Sequence, residues 1–239
     1  MKRTFSAVAF LGAVILVVVV STPTPSTAND EAFFQMVLND DVEGVKAAIE
    51  KGQNVNARDK ITGRTPLFFV SGDARVAEAL IRAGADVNAM SEDTTALSVA
   101  AVLGKAEDVS VLLKAGARLE SAPGGLTSLH LATGIIAMKR KGMRGSFEER
   151  ARQATSFFLM QGQEFRPDFL GTVKLLAEAG ADIDAKTQSG DLLKKTFEFS
   201  IEAGDVDYRQ FENKTPLELA RIVGNEEVAK YLSEVSPSR

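Results

Sequence analysis

The hexapeptide Gly84-Ala85-Asp86-Val87-Asn88-Ala89 returns in altered form along the chain, and its spacing constrains the fold more than any other feature. Related segments begin at Gly52 (Gly-Gln-Asn-Val-Asn-Ala), Gly116 (Gly-Ala-Arg-Leu-Glu-Ser) and Gly180 (Gly-Ala-Asp-Ile-Asp-Ala). The leading glycines are 32, 32 and 64 residues apart, the last interval being two periods. A fixed period of this length means units too small to bury their own apolar faces, which stack into a solenoid with a shared core. Each hexapeptide follows an apolar pattern such as Val109, Leu112 and Leu113 before Gly116, or Val173, Leu176 and Ala177 before Gly180. Offsets of three and four place these residues on one helical face. Gly84, Gly116 and Gly180 then suit the left-handed position that ends a helix.

A second signature opens each unit: Thr65-Pro66-Leu67-Phe68, Thr95-Ala96-Leu97-Ser98, Thr127-Ser128-Leu129-His130 and Thr215-Pro216-Leu217-Glu218. The threonines are expected as helix N-caps, with Pro66 and Pro216 at the first helical position, where a missing N–H costs nothing. Thr-Pro-Leu and Thr-Ser-Leu-His starts, Val-x-x-Leu-Leu second helices and Gly-Ala-Asp-Val-Asn-Ala ends together resemble the ankyrin-repeat family. The resemblance implies an all-α solenoid of about five helix-turn-helix repeats, with a finger projecting between successive units. The expected boundaries are 30–59, 60–89, 90–121, 122–185 and 186–235, followed by a tail at 236–239. His130, in the Thr-x-Leu-His slot, is implied to be structural.

Three departures from the period stand out. The second repeat is two residues short, with Ser71-Gly72-Asp73 as its inter-helix turn. The fourth carries an insertion at 134–168, placed between its two helices. Ser146-x-x-Glu149 predicts a capped helix there, running to about residue 161, with Phe147, Ala151, Ala154 and Phe158 along one face. The insertion holds seven basic and four acidic residues, against an acidic remainder. Lys139, Arg140, Lys141 and Arg144 form a basic loop suited to an acidic partner or to anionic lipid, with Phe157 beside it. The third departure is a finger insertion at 187–213. Alternation over Thr196–Ile201, then a glycine-containing turn, then Val206–Arg209, predicts a β-hairpin with Phe197, Phe199 and Tyr208 on one face. Val102 and Leu103, closing a first helix, are candidates for an apolar groove.

The N-terminal 28 residues read as a secretory signal peptide, with Lys2-Arg3, an apolar run from Phe5 to Val20, and small residues at Ser26-Thr27-Ala28. An uncleaved inner-membrane anchor over residues 5–20 is the alternative. Without the signal the chain carries 26 basic and 32 acidic residues, a poor balance for wrapping nucleic acid. Cysteine is absent, which removes disulfides, thiolate metal sites and cysteine nucleophiles. His130 is the only histidine, so a Ser-His-Asp triad or a histidine metal cluster is not expected. No catalytic, metal or cofactor site is anticipated. The expected function is non-enzymatic binding, as a monomer in the periplasm, of another exported or envelope protein that it inhibits or assists. A membrane-surface adaptor built on the basic insertion is an alternative. A resemblance to exported bacterial ankyrin proteins associated with catalase-like enzymes implies a further one, an accessory factor in oxidative stress.

Overall fold

The computed structural model describes residues 28–70, 73–91, 94–119, 121–122, 126–135, 145–151, 167–188 and 208–236. Besides a helical turn at 147–151, nine α-helices lie among them: α1 (Ala28–Leu38), α2 (Val42–Glu50), α3 (Ala74–Arg82), α4 (Ala96–Leu103), α5 (Ala106–Lys114), α6 (Ser128–Ala132), α7 (Phe169–Glu178), α8 (Pro216–Val223) and α9 (Glu226–Val235). They stack in two layers. One runs from α1 through a single 3-10 turn (Pro66–Phe69) to α4, α6 and α8; the other runs α2, α3, α5, α7, α9. Each layer contacts its neighbours in chain order, as expected where every unit buries its face on the next. Leu80, Leu97, Leu112, Leu129, Leu176 and Leu219 belong to one continuous core.

Side-chain caps start most of these helices and satisfy backbone N–H groups that have no partner inside the helix. Thr95 accepts from the Ser98 N–H, Thr127 from His130 and Thr215 from Glu218. At Thr215 the Glu218 carboxylate returns a bond to the Thr215 N–H at 2.9 Å, completing a capping box behind Pro216. Gly84, Gly116 and Gly180 have φ of 90°, 87° and 91°, where a side chain would be strained.

The second repeat departs from expectation. Pro66 begins a four-residue 3-10 turn rather than an α-helix, and Thr65 makes no capping bond. Its buried hydroxyl has no hydrogen-bond partner among the described residues. Thr65 and the next N-cap, Asp73, are two residues closer than Thr95 and Lys105, which bracket α4, and the shortened segment takes the tighter 3-10 form.

The helical layers run through the fourth repeat without a gap, since α6 contacts both α4 and α7. α6, which ends at Ala132, and α7, which begins at Phe169, thus pack as neighbours although 36 residues separate them in the chain. At the third finger, Ser121–Ala122 (β1) pairs antiparallel with Leu126–Thr127 (β2). Tyr208 and Arg209, expected on a strand, instead open a 3-10 turn, Tyr208–Phe211. The reason is packing: the turn delivers Phe211 into the core and leads to Asn213, whose positive φ of 55° brings the chain to the Thr215 cap. The rest of the expected hairpin, including Phe197 and Phe199, lies outside the described residues.

Candidate partner-binding surface

Both edges of the stack are tied from one repeat to the next. On the finger edge, the Asn56 amide donates to the Gly84 carbonyl at 2.9 Å, and its oxygen accepts from the Asp86 N–H at 2.8 Å. Asn88 repeats the arrangement with the Gly116 carbonyl at 3.2 Å and the Arg118 N–H at 2.9 Å. An amide side chain suits this position because separate atoms donate and accept at once. On the opposite edge, where the helices of each pair connect, Asp40 accepts from the Asp73 N–H at 3.2 Å. There the Lys105 ammonium donates to the Val70 carbonyl at 2.6 Å, and the Asp168 N–H to the Gly104 carbonyl at 2.8 Å. The Asn225 amide donates to the Thr133 carbonyl at 3.1 Å.

The first two fingers are braced into a ledge. The Arg58 guanidinium donates to the Gly63 carbonyl at 2.7 Å and to the Met90 carbonyl at 3.2 Å, while the Ser91 hydroxyl donates to the Thr62 carbonyl at 2.7 Å. Ile61 and Met90 sit on this frame, 92% and 46% exposed. An aliphatic side chain so exposed on a fixed turn buries nothing in its own fold. The sequence reading missed both residues, although an isoleucine within Asp59-Lys60-Ile61-Thr62-Gly63 was a visible signal.

His130 is fully buried and works as a clamp. Its Nδ1 accepts from the Thr127 N–H at 3.2 Å, and its Nε2 lies 3.1 Å from both the Ala185 and Lys214 carbonyls. Burial holds its pKa below the ordinary imidazole value, partly opposed by those carbonyls. Thr187 closes the same stem: its N–H donates to the Lys214 carbonyl at 3.0 Å and its hydroxyl to that of Phe211. The two ends of the finger insertion are therefore held together at the stack.

The described residues 145–151 are equally fixed. The Ser146 N–H donates to Glu149 at 2.8 Å and the Ser146 hydroxyl accepts from the Glu149 N–H at 3.3 Å, starting a helix at 147–151. Phe147 meets Phe169 edge-on, with ring centroids 5.6 Å apart, and Ala151 is buried. Arg150 donates to the Val223 carbonyl at 2.7 Å. Lys139, Arg140, Lys141, Arg144 and Phe157 lie outside the described residues. Leu103 does not line an open groove: it is buried in the core, and Val102 is half-buried against it. The insertion's return at Pro167 and Phe169 packs over Gly104, which covers this end of α4.

The sequence reading also missed a polar pair between the second and third repeats. Lys105 and Asp108 are 5% and 3% exposed. Burial lowers the Lys105 ammonium to about 8, opposed by Asp108, and raises the Asp108 carboxyl to about 6, opposed by Lys105. Asp108 occupies the helical position held by Val76 in α3 and Val228 in α9, so comparison of the repeats within the chain could have exposed it.

Among the described residues, no group of three or more histidine, aspartate or glutamate side chains could hold a metal ion. No helix among them is long and apolar enough to cross a membrane. Residues 33–122 match a family model described as ankyrin repeats (3 copies), which supports the ankyrin-repeat family. Such repeats are generally protein–protein interaction modules and typically non-enzymatic. No curated protein matches the chain.

Proposed function

We propose that this chain is a non-enzymatic, exported protein-binding solenoid, and that its partner is another protein of the cell envelope. The braced ledge carrying Ile61 and Met90 is the observation that carries the reading. Rigid, exposed apolar side chains favour association because they are already ordered and lose little entropy on burial. Lys2-Arg3, the apolar run to Val20 and the small residues before Asn29 support export. The basic insertion and the finger insertion supply further contact surface beyond the stack, and the protein acts as a monomer that either occludes an envelope enzyme or supports it.

The test is affinity capture from envelope extracts with the full chain and with an Ile61→Ser/Met90→Ser variant. The variant is expected to keep its melting temperature and lose most of the captured partner. Undiminished capture would remove the ledge from the binding surface. Activity of the captured protein, measured with and without the solenoid, then separates the roles: a fall marks an inhibitor, a rise an accessory factor.

A further inference from the structure

The ties along the inter-helix edge are chemically unequal. Two of the four donors are backbone N–H groups and one is the neutral amide of Asn225. The tie between the second and third repeats is instead the Lys105 ammonium, reaching the Val70 carbonyl from a buried position. Val70 caps the shortened 3-10 turn of the second repeat, so the Lys105 ammonium bonds a carbonyl at the end of that turn. One turn along α5, Asp108 faces the same small cavity, lined by Leu67, Ala100 and Leu112. Neither of its carboxylate oxygens has a hydrogen-bond partner among the described residues.

An ionised carboxylate without donors in an apolar cavity costs free energy that one nearby ammonium offsets only in part. The other charged groups acting on Asp108 make ionisation harder: Asp40 from the first inter-helix turn, Asp73 from the second, and Glu107 on its own helix. On the flanking α3, Arg75 and Arg82 are exposed and the half-buried Glu78 is paired with Arg82 at 2.9 Å; Lys174 and Glu178 on α7 are exposed, and α4 carries no titratable group. We propose that Lys105 and Asp108 make the seam between the second and third repeats pH-sensitive, closed more tightly when Asp108 holds a proton and loosened when it ionises. A neutral Asp108 removes the buried negative charge and leaves the Lys105 bond to Val70 in place. The seam then sets how firmly the first two fingers are held against the third.

The direction follows from linkage. The carboxyl is raised from 3.8 to about 6 in the closed seam, so the closed form binds a proton that the open form has released. Stabilisation from this group is full below the open-state value and is lost as pH rises through about 6. Lys105, lowered from 10.5 to about 8, acts in a separate window above that.

Hydrogen exchange of the full chain tests this at the amides of Leu80 and Leu112, which flank the seam, after correction for intrinsic rates. In the wild type, the opening constant at about pH 7.5 is expected to exceed that at about pH 5 roughly tenfold. Asp108→Asn is expected to bring the value at the higher pH down to the acidic one. A Lys105→Met/Asp108→Val double variant, apolar like the equivalent Val76 and Val228, is expected to abolish the response and guards against misfolding of the single variant. A seam that opens equally or more on acidification overturns the proposal. So does an Asp108→Asn seam that opens more than wild type at about pH 7.5, or a pH response that survives in the double variant.

Discussion

At the residue scale, a few side chains succeed because their hydrogen-bonding capacity matches a recurring need. Asn88 donates to the Gly116 carbonyl and accepts from the Arg118 N–H, and its amide supplies both from separate atoms. Asn88→Asp keeps the acceptor and loses the donor, so a loss of about 1 kcal/mol is expected in urea unfolding. Asn88→Ala loses both contacts, with an expected cost of about 2 kcal/mol. His130 carries a different prediction. Its folded pKa lies below the ordinary 6.5, so the unfolded chain binds a proton more readily in that interval. Stability from this site is therefore full above 6.5 and declines as pH falls below it. The urea midpoint of the wild type should fall faster on acidification than that of His130→Gln, and parallel curves would refute the assignment. This effect opposes that of Asp108, so the two sites are separable by variant.

At the element scale, aromatic packing holds the helical turn at 147–151 against α7. Phe147 lies against Phe169 and above Gly134, whose φ is 87°. Phe147→Ala is expected to cost about 2 kcal/mol and to expose the segment after Ile135 to limited proteolysis, while α1 to α5 keep their exchange protection. Gly134→Ala should be worse than its size suggests, because a Cβ there meets the Phe147 ring as well as an unfavourable φ. Helix positions and caps were legible because they depend on local chemistry: Thr127, Thr215 and Ser146 each sit three residues before the N–H they bind. The 3-10 turn at Pro66–Phe69 was not, since the Thr-Pro-Leu start predicted an α-helix and the two-residue shortening before Asp73 accompanies a tighter turn. Tyr208 misled for a related reason. Its alternation with Val206 matched a strand, but the demand to bury Phe211 set the local conformation.

At the scale of the whole molecule, the stack is a chain of neighbour contacts, so an excursion closed at its base should be removable. Thr187, His130 and Lys214 close the finger insertion. Replacing residues 189–207 by a short Gly/Ser linker is expected to shift the melting temperature by no more than about 3 °C in a thermal scan. A larger loss would mean that the excursion covers part of the core. Partner capture by this variant then reports whether the finger insertion contributes to binding.

The sequence by itself determined the helices around each Gly-Ala-Asp element and the caps at Thr95, Thr127 and Thr215. Each of these rests on residues close together in the chain, whose chemistry does not need the rest of the fold. Only the tertiary structure decided that Leu103 is buried beside Gly104, over which Pro167 and Phe169 pack, that Arg58 ties two fingers into a ledge under Ile61 and Met90, and that Lys105 and Asp108 share a buried seam. Those outcomes depend on which repeat lies against which. Burial, the quantity that turns an ordinary lysine and aspartate into a strained pair, exists only once the units have stacked.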